Sequence, residues 1–320
     1  TIMDLLKTST LIITTNISGC KEISELHSLD NVPLKYLNIS GCEKITYLRP
    51  LSEGMPRVIE ELYASNCIGL TGQVGIYPTM RIVELENCSA LESVSYHSVN
   101  NDEYQLAALN IKGCSSMEFV IAPQGVKLQE FNMSGCKQLK ELNVYLDDCV
   151  TSIDMSECTL LEEAIIVGRQ LQSLDVTHCS SLKRLSFDGA FTTIDLSNNS
   201  ELEYLNSSQA LTELDLTYNH ELKELSCSYS NIKSLDLTGK RKLESVHCSG
   251  NQLEFLDVSG CYGLKELQCS YGLLTSLNVN DCEMLETLYC DNNKLTVADA
   301  AMQAGFPSIS TFNRLFKQHK

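Results

Sequence analysis

The sequence predicts a repeat solenoid built mainly from β-strands, and three observations lead there. One six-residue segment recurs thirteen times along the 320 residues, its apolar positions alternate with polar ones, and about 21 residues separate successive copies. Two strands and two turns fill such a period. No helix fits between them.

The copies begin at Thr15, Leu37, Leu62, Val83, Leu109, Phe131, Ile153, Leu174, Ile194, Leu214, Leu235, Leu256 and Leu277. They read TNISGC, LNISGC, LYASNC and so on to LDVSGC and LNVNDC, with the starts separated by 20 to 26 residues. Apolar residues two apart on a strand share one face, so these point inward and the residue between them points out. Each unit holds two half-turns, clearest over Leu253 to Leu274, where LxxLDVSGCxxL is followed by LxxLxCSYGxL. Stacking thirteen coils at strand spacing would span roughly 60 Å.

Both half-turns fit the pattern LxxLxLxx(N/C)xL, and the chain resembles leucine-rich-repeat proteins over nearly its whole length. The closest resemblance is to bacterial short-period repeats of 20 to 22 residues. That resemblance implies a right-handed coil with little helix, a non-enzymatic interaction role toward a protein or glycan partner, and a secreted or cell-surface location. On this reading residues 1–11 form an N-terminal cap, 12–293 the solenoid and 294–320 a helical C-terminal cap, because each coil contacts only its neighbours and both ends need cover. Two longer units carry insertions, at Arg49 to Glu61 and His97 to Gln105.

Composition narrows the function. With 24 Lys and Arg against 41 Asp and Glu, the net charge is −17, which disfavours a phosphate-backbone partner such as nucleic acid. No stretch approaches the ~20 apolar residues of a membrane span. The first residues also lack the charged start and apolar block of a signal peptide.

Fifteen cysteines is an odd count, so a complete disulfide framework is excluded. Ten of them occupy the last position of the segment: Cys20, Cys42, Cys67, Cys88, Cys114, Cys136, Cys158, Cys179, Cys261 and Cys282. There the resemblance implies a side chain turned inward onto backbone groups of the bend, with Asn198 or Asn199, and Asn219, as equivalents. Cys227, Cys248, Cys269 and Cys290 form a second inward column in the other half-turn, and only Cys149 is left over. No CxxC pair occurs and no base accompanies a thiol, so neither a metal site nor a catalytic cysteine is expected, and no cofactor is implied.

Facing out from the segment are Asn38, Glu84, Asn110, Asn132, Asp154, Asp175, Asp195, Asp215, Asp236, Asp257 and Asn278. Six successive aspartates should repel one another. The expected relief is a hydrogen bond to each from the Ser or Thr two residues on, or from amides of the bend. The other half-turn presents a varied row instead: Ser186, Asn206, Ser226, His247, Gln268 and Tyr289. Variation on a fixed frame, with tyrosines nearby, suits recognition. Tyr204, Tyr229, His247, Gln268, Tyr271 and Tyr289 are therefore the partner-binding candidates.

After Asn293 the repeat stops. From Lys294 onward four basic residues face one Asp, a net +3, which leaves −20 on residues 1–293. This tail resembles the second helix-turn-helix of AraC-type transcription regulators at Ala300, Ala301, Gly305, Phe306, Phe312, Arg314, Leu315, Phe316 and Lys317. That resemblance implies an alternative function, a cytoplasmic DNA-associated regulator with Ser310, Thr311, Asn313, Arg314 and Lys317 as DNA contacts. The leading expectation for the tail remains a cap over the open end of the last coil.

Overall fold

A computed structural model describes residues 14–26, 29, 32, 34–48, 59–97, 103–207 and 209–295. The N-terminal cap, residues 296–320 of the C-terminal cap with the DNA-contact candidates Ser310, Thr311, Asn313, Arg314 and Lys317, and most of the two insertions lie outside the described residues. The architecture is a parallel-strand β-solenoid of about twelve turns, with no helix among the described residues. Thirteen copies of a segment bound twelve intervals, so the repeat reading and the turn count agree.

The chain divides into two compact units, Thr1–Leu171 and Gln172–Lys320. The first holds β1 (Thr14–Asn16), β2 (Tyr36–Asn38), β3 (Glu61–Tyr63), β4 (Gly72–Ile76), β5 (Ile82–Glu84) and β6 (Leu91–Tyr96). It continues with β7 (Ala108–Asn110), β8 (Phe119–Ile121), β9 (Glu130–Asn132), β10 (Glu141–Tyr145) and β11 (Glu163–Val167). One parallel ladder runs β1-β2-β3-β5-β7-β9, built from the recurring segment, and the other half-turns give β4-β6-β8-β10-β11.

The second unit holds β12 (Arg184–Asp188), β13 (Tyr204–Asn206), β14 (Glu224–Ser226), β15 (Ser245–His247), β16 (Phe255–Asp257), β17 (Glu266–Gln268), β18 (Ser276–Asn278) and β19 (Thr287–Tyr289). Its long ladder runs β12-β13-β14-β15-β17-β19, and β16 pairs with β18.

The expectation of a strand in every copy of the segment needs correction. Eight copies are strands, but those at Ile153, Leu174, Ile194, Leu214 and Leu235 are not, apart from a bridge between Asp236 and Asp257. Their inward residues are still buried, apart from the half-buried Ile153. The difference lies in what faces outward. Where the ladder forms, no outward rung sets two carboxylates opposite each other, and two rungs join a carboxylate to an amide: Asn110 Nδ2 donates to Glu84 Oε2 at 2.8 Å, and Asn278 Nδ2 to Asp257 Oδ2 at 3.1 Å. In the unladdered coils aspartate follows aspartate, and Asp195 feels the like charges of Asp175 and Asp215. Like charges directly opposite oppose close strand pairing.

The cysteine columns are where the repeat puts them. Sγ of Cys42, Cys67, Cys88, Cys114 and Cys136 donates to the carbonyl three residues before the segment-ending cysteine of the preceding coil, at 3.1–3.3 Å. Cys261 and Cys282 do the same toward Leu237 and Val258. Asn199, rather than Asn198, takes this place in its coil, donating to Val176 O and Cys179 O, and Asn219 repeats the arrangement. Burial pushes the thiols of Cys88, Cys114 and Cys136 up to about 12. Cys227, Cys248, Cys269 and Cys290 are buried immediately after their strands, and Cys149 is exposed.

One member of the column is neither cysteine nor asparagine. Lys240 stands at the cysteine position, 6% exposed, with Nζ donating to Leu216 O at 2.7 Å and Asn219 O at 3.3 Å. Burial lowers its pKa, partly opposed by Asp236.

Candidate interaction surface

The two outward rows differ in how their polar atoms are satisfied. In the aspartate row each carboxylate serves its own turn. Oδ1 of Asp154, Asp175, Asp195, Asp215, Asp236 and Asp257 accepts the backbone N–H two residues on, at 2.8–3.0 Å. Hydroxyls of Ser156, Thr177 and Thr217 add a second bond to the same oxygen. These side-chain and backbone hydrogen bonds hold the Asp175 and Asp215 carboxyls below their ordinary value. This is the expected local relief of repulsion, and it leaves the row structural.

The strand face of the second unit is built otherwise. Ser186, Asn206, Ser226, His247, Gln268 and Tyr289 lie in one cross-strand register on β12, β13, β14, β15, β17 and β19. A second row two residues earlier holds Arg184, Tyr204, Glu224, Ser245, Glu266 and Thr287. The alternation that buries Leu185, Leu205, Leu225, Val246 and Leu267 is what turns both rows outward.

Contacts within this face are specific. The Arg184 guanidinium lies 4.5 Å from the Tyr204 ring centroid. Asn206 Nδ2 donates to Ser186 Oγ at 3.1 Å, and Gln268 Nε2 to Glu266 Oε1 at 2.6 Å. His247 Nε2 sits 3.3 Å from Ser245 Oγ and 3.5 Å from Glu266 Oε1. One residue before the strands runs a solvent-exposed charge ladder of alternating sign, Glu203, Lys223, Glu244, Lys265 and Glu286, with Lys223 bonding Glu203 at 2.7 Å and Lys265 bonding Glu244 at 2.6 Å. Its signature, alternating Lys and Glu one period apart, was present in the sequence.

The structure thus divides the six partner-binding candidates. Tyr204, His247, Gln268 and Tyr289 share the strand face. Tyr229 and Tyr271 stand on a turn, 60% and 62% exposed. In the first unit a cleft of about 380 Å³ opens beside β9, lined by Glu84, Asn110, Glu130, Phe131, Asn132 and Thr151 among others. It lies where the recurring segment ceases to pair. Among the described residues no group of His, Cys, Asp and Glu has the arrangement of a metal site, and no helix is long and apolar enough to cross a membrane.

No protein-family model matches the sequence, and no curated protein does. Solved structures do match. The functional domain of InlJ from Listeria monocytogenes, described as including a cysteine ladder, aligns at 23% identity and a TM-score of 0.51 over 92% of this chain. The chain spans 65% of that protein's length. A leucine-rich-repeat protein of Leptospira interrogans aligns at 15% identity and 0.53, covering 100% of this chain and 98% of its own. An internalin, inlF, of Listeria monocytogenes gives 15% and 0.50, covering 89% and 88%. At such identities the likeness is one of fold, and it agrees with the repeat, the paired half-turns and the cysteine column: the chain has the leucine-rich-repeat solenoid fold.

Proposed function

We propose that the protein is a non-enzymatic interaction scaffold, secreted or held at a cell surface, that docks a protein or glycan partner on the strand face of β12–β15, β17 and β19. One observation carries this reading. The aspartate row repeats one residue and gives one oxygen of each to its own turn, whereas the strand-face row changes residue at every coil. A rigid ladder with variable polar side chains and outward aromatics at Tyr204 and Tyr289 suits a docking surface, since fixed backbone lowers the entropy cost of binding. The leucine-rich-repeat fold of the structural neighbours is consistent with it.

Site-specific photo-crosslinking tests the proposal. A benzophenone amino acid at Asn206 or Ser226 should give partner adducts in the native setting, and the same group at Asp195 should not. Adducts at neither strand position, or equally at Asp195, would overturn it.

A further inference from the structure

Tyr229 and Tyr271 have φ of +59° and +58°, the left-handed region that bulky side chains avoid. They belong to one column of turns. Tyr229 N–H donates to Ser249 O, Gly250 N–H to Ser270 O and Tyr271 N–H to Asp291 O, at 2.7, 2.8 and 3.0 Å, which sets Tyr229, Gly250, Tyr271 and Asn292 in successive coils. Gly250 and Asn292 share the conformation, at +70° and +55°, and are the residue types it favours. Folding alone would place glycine or asparagine at all four. Tyrosine at every second coil therefore asks for another explanation.

The Tyr229 ring lies down over Gly250, where an added Cβ would come within 2.6 Å of ring atom Cδ1. A ring resting on backbone turns its other face to solvent, and Tyr229 and Tyr271 are among the most exposed large side chains described. Amides flank the ridge. Exposed Gln252 Nε2 donates to exposed Asn231 Oδ1 at 3.2 Å. Two coils separate the rings by roughly 10 Å, twice the strand spacing. An extended β-1,4-linked glycan, whose sugars turn over at each step, presents the same face again after a disaccharide, a repeat of about that length.

We propose that the Tyr229–Tyr271 ridge binds a neutral, extended β-1,4-linked glycan, with sugar faces stacked on the two rings and hydroxyls bonded to Asn231 and Gln252. The −17 charge of the chain selects against anionic glycans. This inference rests on the interaction-scaffold reading but uses a different surface from the strand face.

Cellohexaose, with maltohexaose as the coiled α-linked control, tests it on the full chain by calorimetry and by tyrosine fluorescence, which no tryptophan obscures. Cellohexaose should bind and maltohexaose should bind at least tenfold more weakly. Tyr229→Gly and Tyr271→Gly should each weaken cellohexaose about tenfold while raising Tm, because glycine relieves the left-handed strain. Tyr229→Phe should keep binding, and Asp175→Asn on the aspartate row should leave it unchanged. No cellohexaose binding, equal maltohexaose binding, or Tyr→Gly variants that gain stability at undiminished affinity would each sink the ridge. Loss of cellohexaose binding in His247→Ala and Gln268→Ala, with the Tyr→Gly variants binding normally, would sink it too, while leaving the scaffold reading intact.

Discussion

Asn219 and Lys240 occupy the same place in successive coils, and the Lys240 ammonium donates to the backbone carbonyl of Asn219. Asn219 meets its own two carbonyls, Leu196 O and Asn199 O, with a neutral amide, whereas Lys240 buries a charge for the same task. Lys240→Asn should therefore stabilise the fold by about 1 kcal/mol at neutral pH. Because the folded lysine has a pKa below its ordinary 10.5, the unfolded chain binds more protons in between. Wild-type stability rises with pH across that window. Thermal denaturation should show the advantage of Lys240→Asn shrinking as pH approaches 10.5, and an advantage that grew instead would contradict the buried charge.

Asp195 sits between Asp175 and Asp215 in the unladdered column. Asparagine would keep the acceptor for the Ser197 N–H and remove the repulsion. The Ser197 hydrogen bonds nonetheless outweigh that repulsion and hold the Asp195 carboxyl below its ordinary value, so Asp195→Asn should lower Tm slightly at neutral pH, and more so in 1 M salt, where the screening length falls to about 3 Å and the repulsion is already gone. Differential scanning at two ionic strengths reads both.

Acid unfolding should follow the same column. Hydrogen bonds from Thr177 and Thr217 hold Asp175 and Asp215 below the ordinary 3.8. A depressed carboxyl contributes stability above the unfolded value and loses it as pH falls through the folded one. Stability should therefore be flat above about pH 5 and fall below 3.8, and Asp215→Asn should flatten part of that fall in an acid titration followed by circular dichroism.

Thiol chemistry should sort the cysteines by register. Cys149 is exposed, whereas Cys88, Cys114, Cys136 and Cys227 are buried with pKa values raised to about 12. Iodoacetamide at pH 8 should label Cys149 first in the native protein and these four only on unfolding, as peptide mass mapping would report.

Gly250 should be intolerant for two separable reasons. Its φ of +70° and the Tyr229 ring both exclude a side chain. Gly250→Ala should cost about 1–3 kcal/mol. Adding Tyr229→Gly should recover only the steric part, and denaturant midpoints across the double-mutant cycle separate the two.

The period, the inward residues and both cysteine columns were legible in the sequence because each coil repeats one local pattern against like neighbours. Leu205, Cys114 and Asn219 could be placed by counting. Counting also gave the aspartates their turn partners, since Asp215 and Thr217 are two residues apart. It did not reveal Lys240, because a lysine in a core column breaks the pattern that identifies the column. Nor did it separate Tyr229 and Tyr271 from Tyr204 and Tyr289.

By itself the sequence determined a solenoid, its register and the face each repeat position takes, since a period of two and a period of about 21 admit one arrangement of inward and outward residues. Only the tertiary structure decided which segments pair as strands and which turns hold tyrosine in a left-handed backbone. Pairing depends on the residue opposite, in the next coil, and φ on the turn's hydrogen bonds to that coil. Both are relations between chain segments some 20 residues apart, which no local pattern contains.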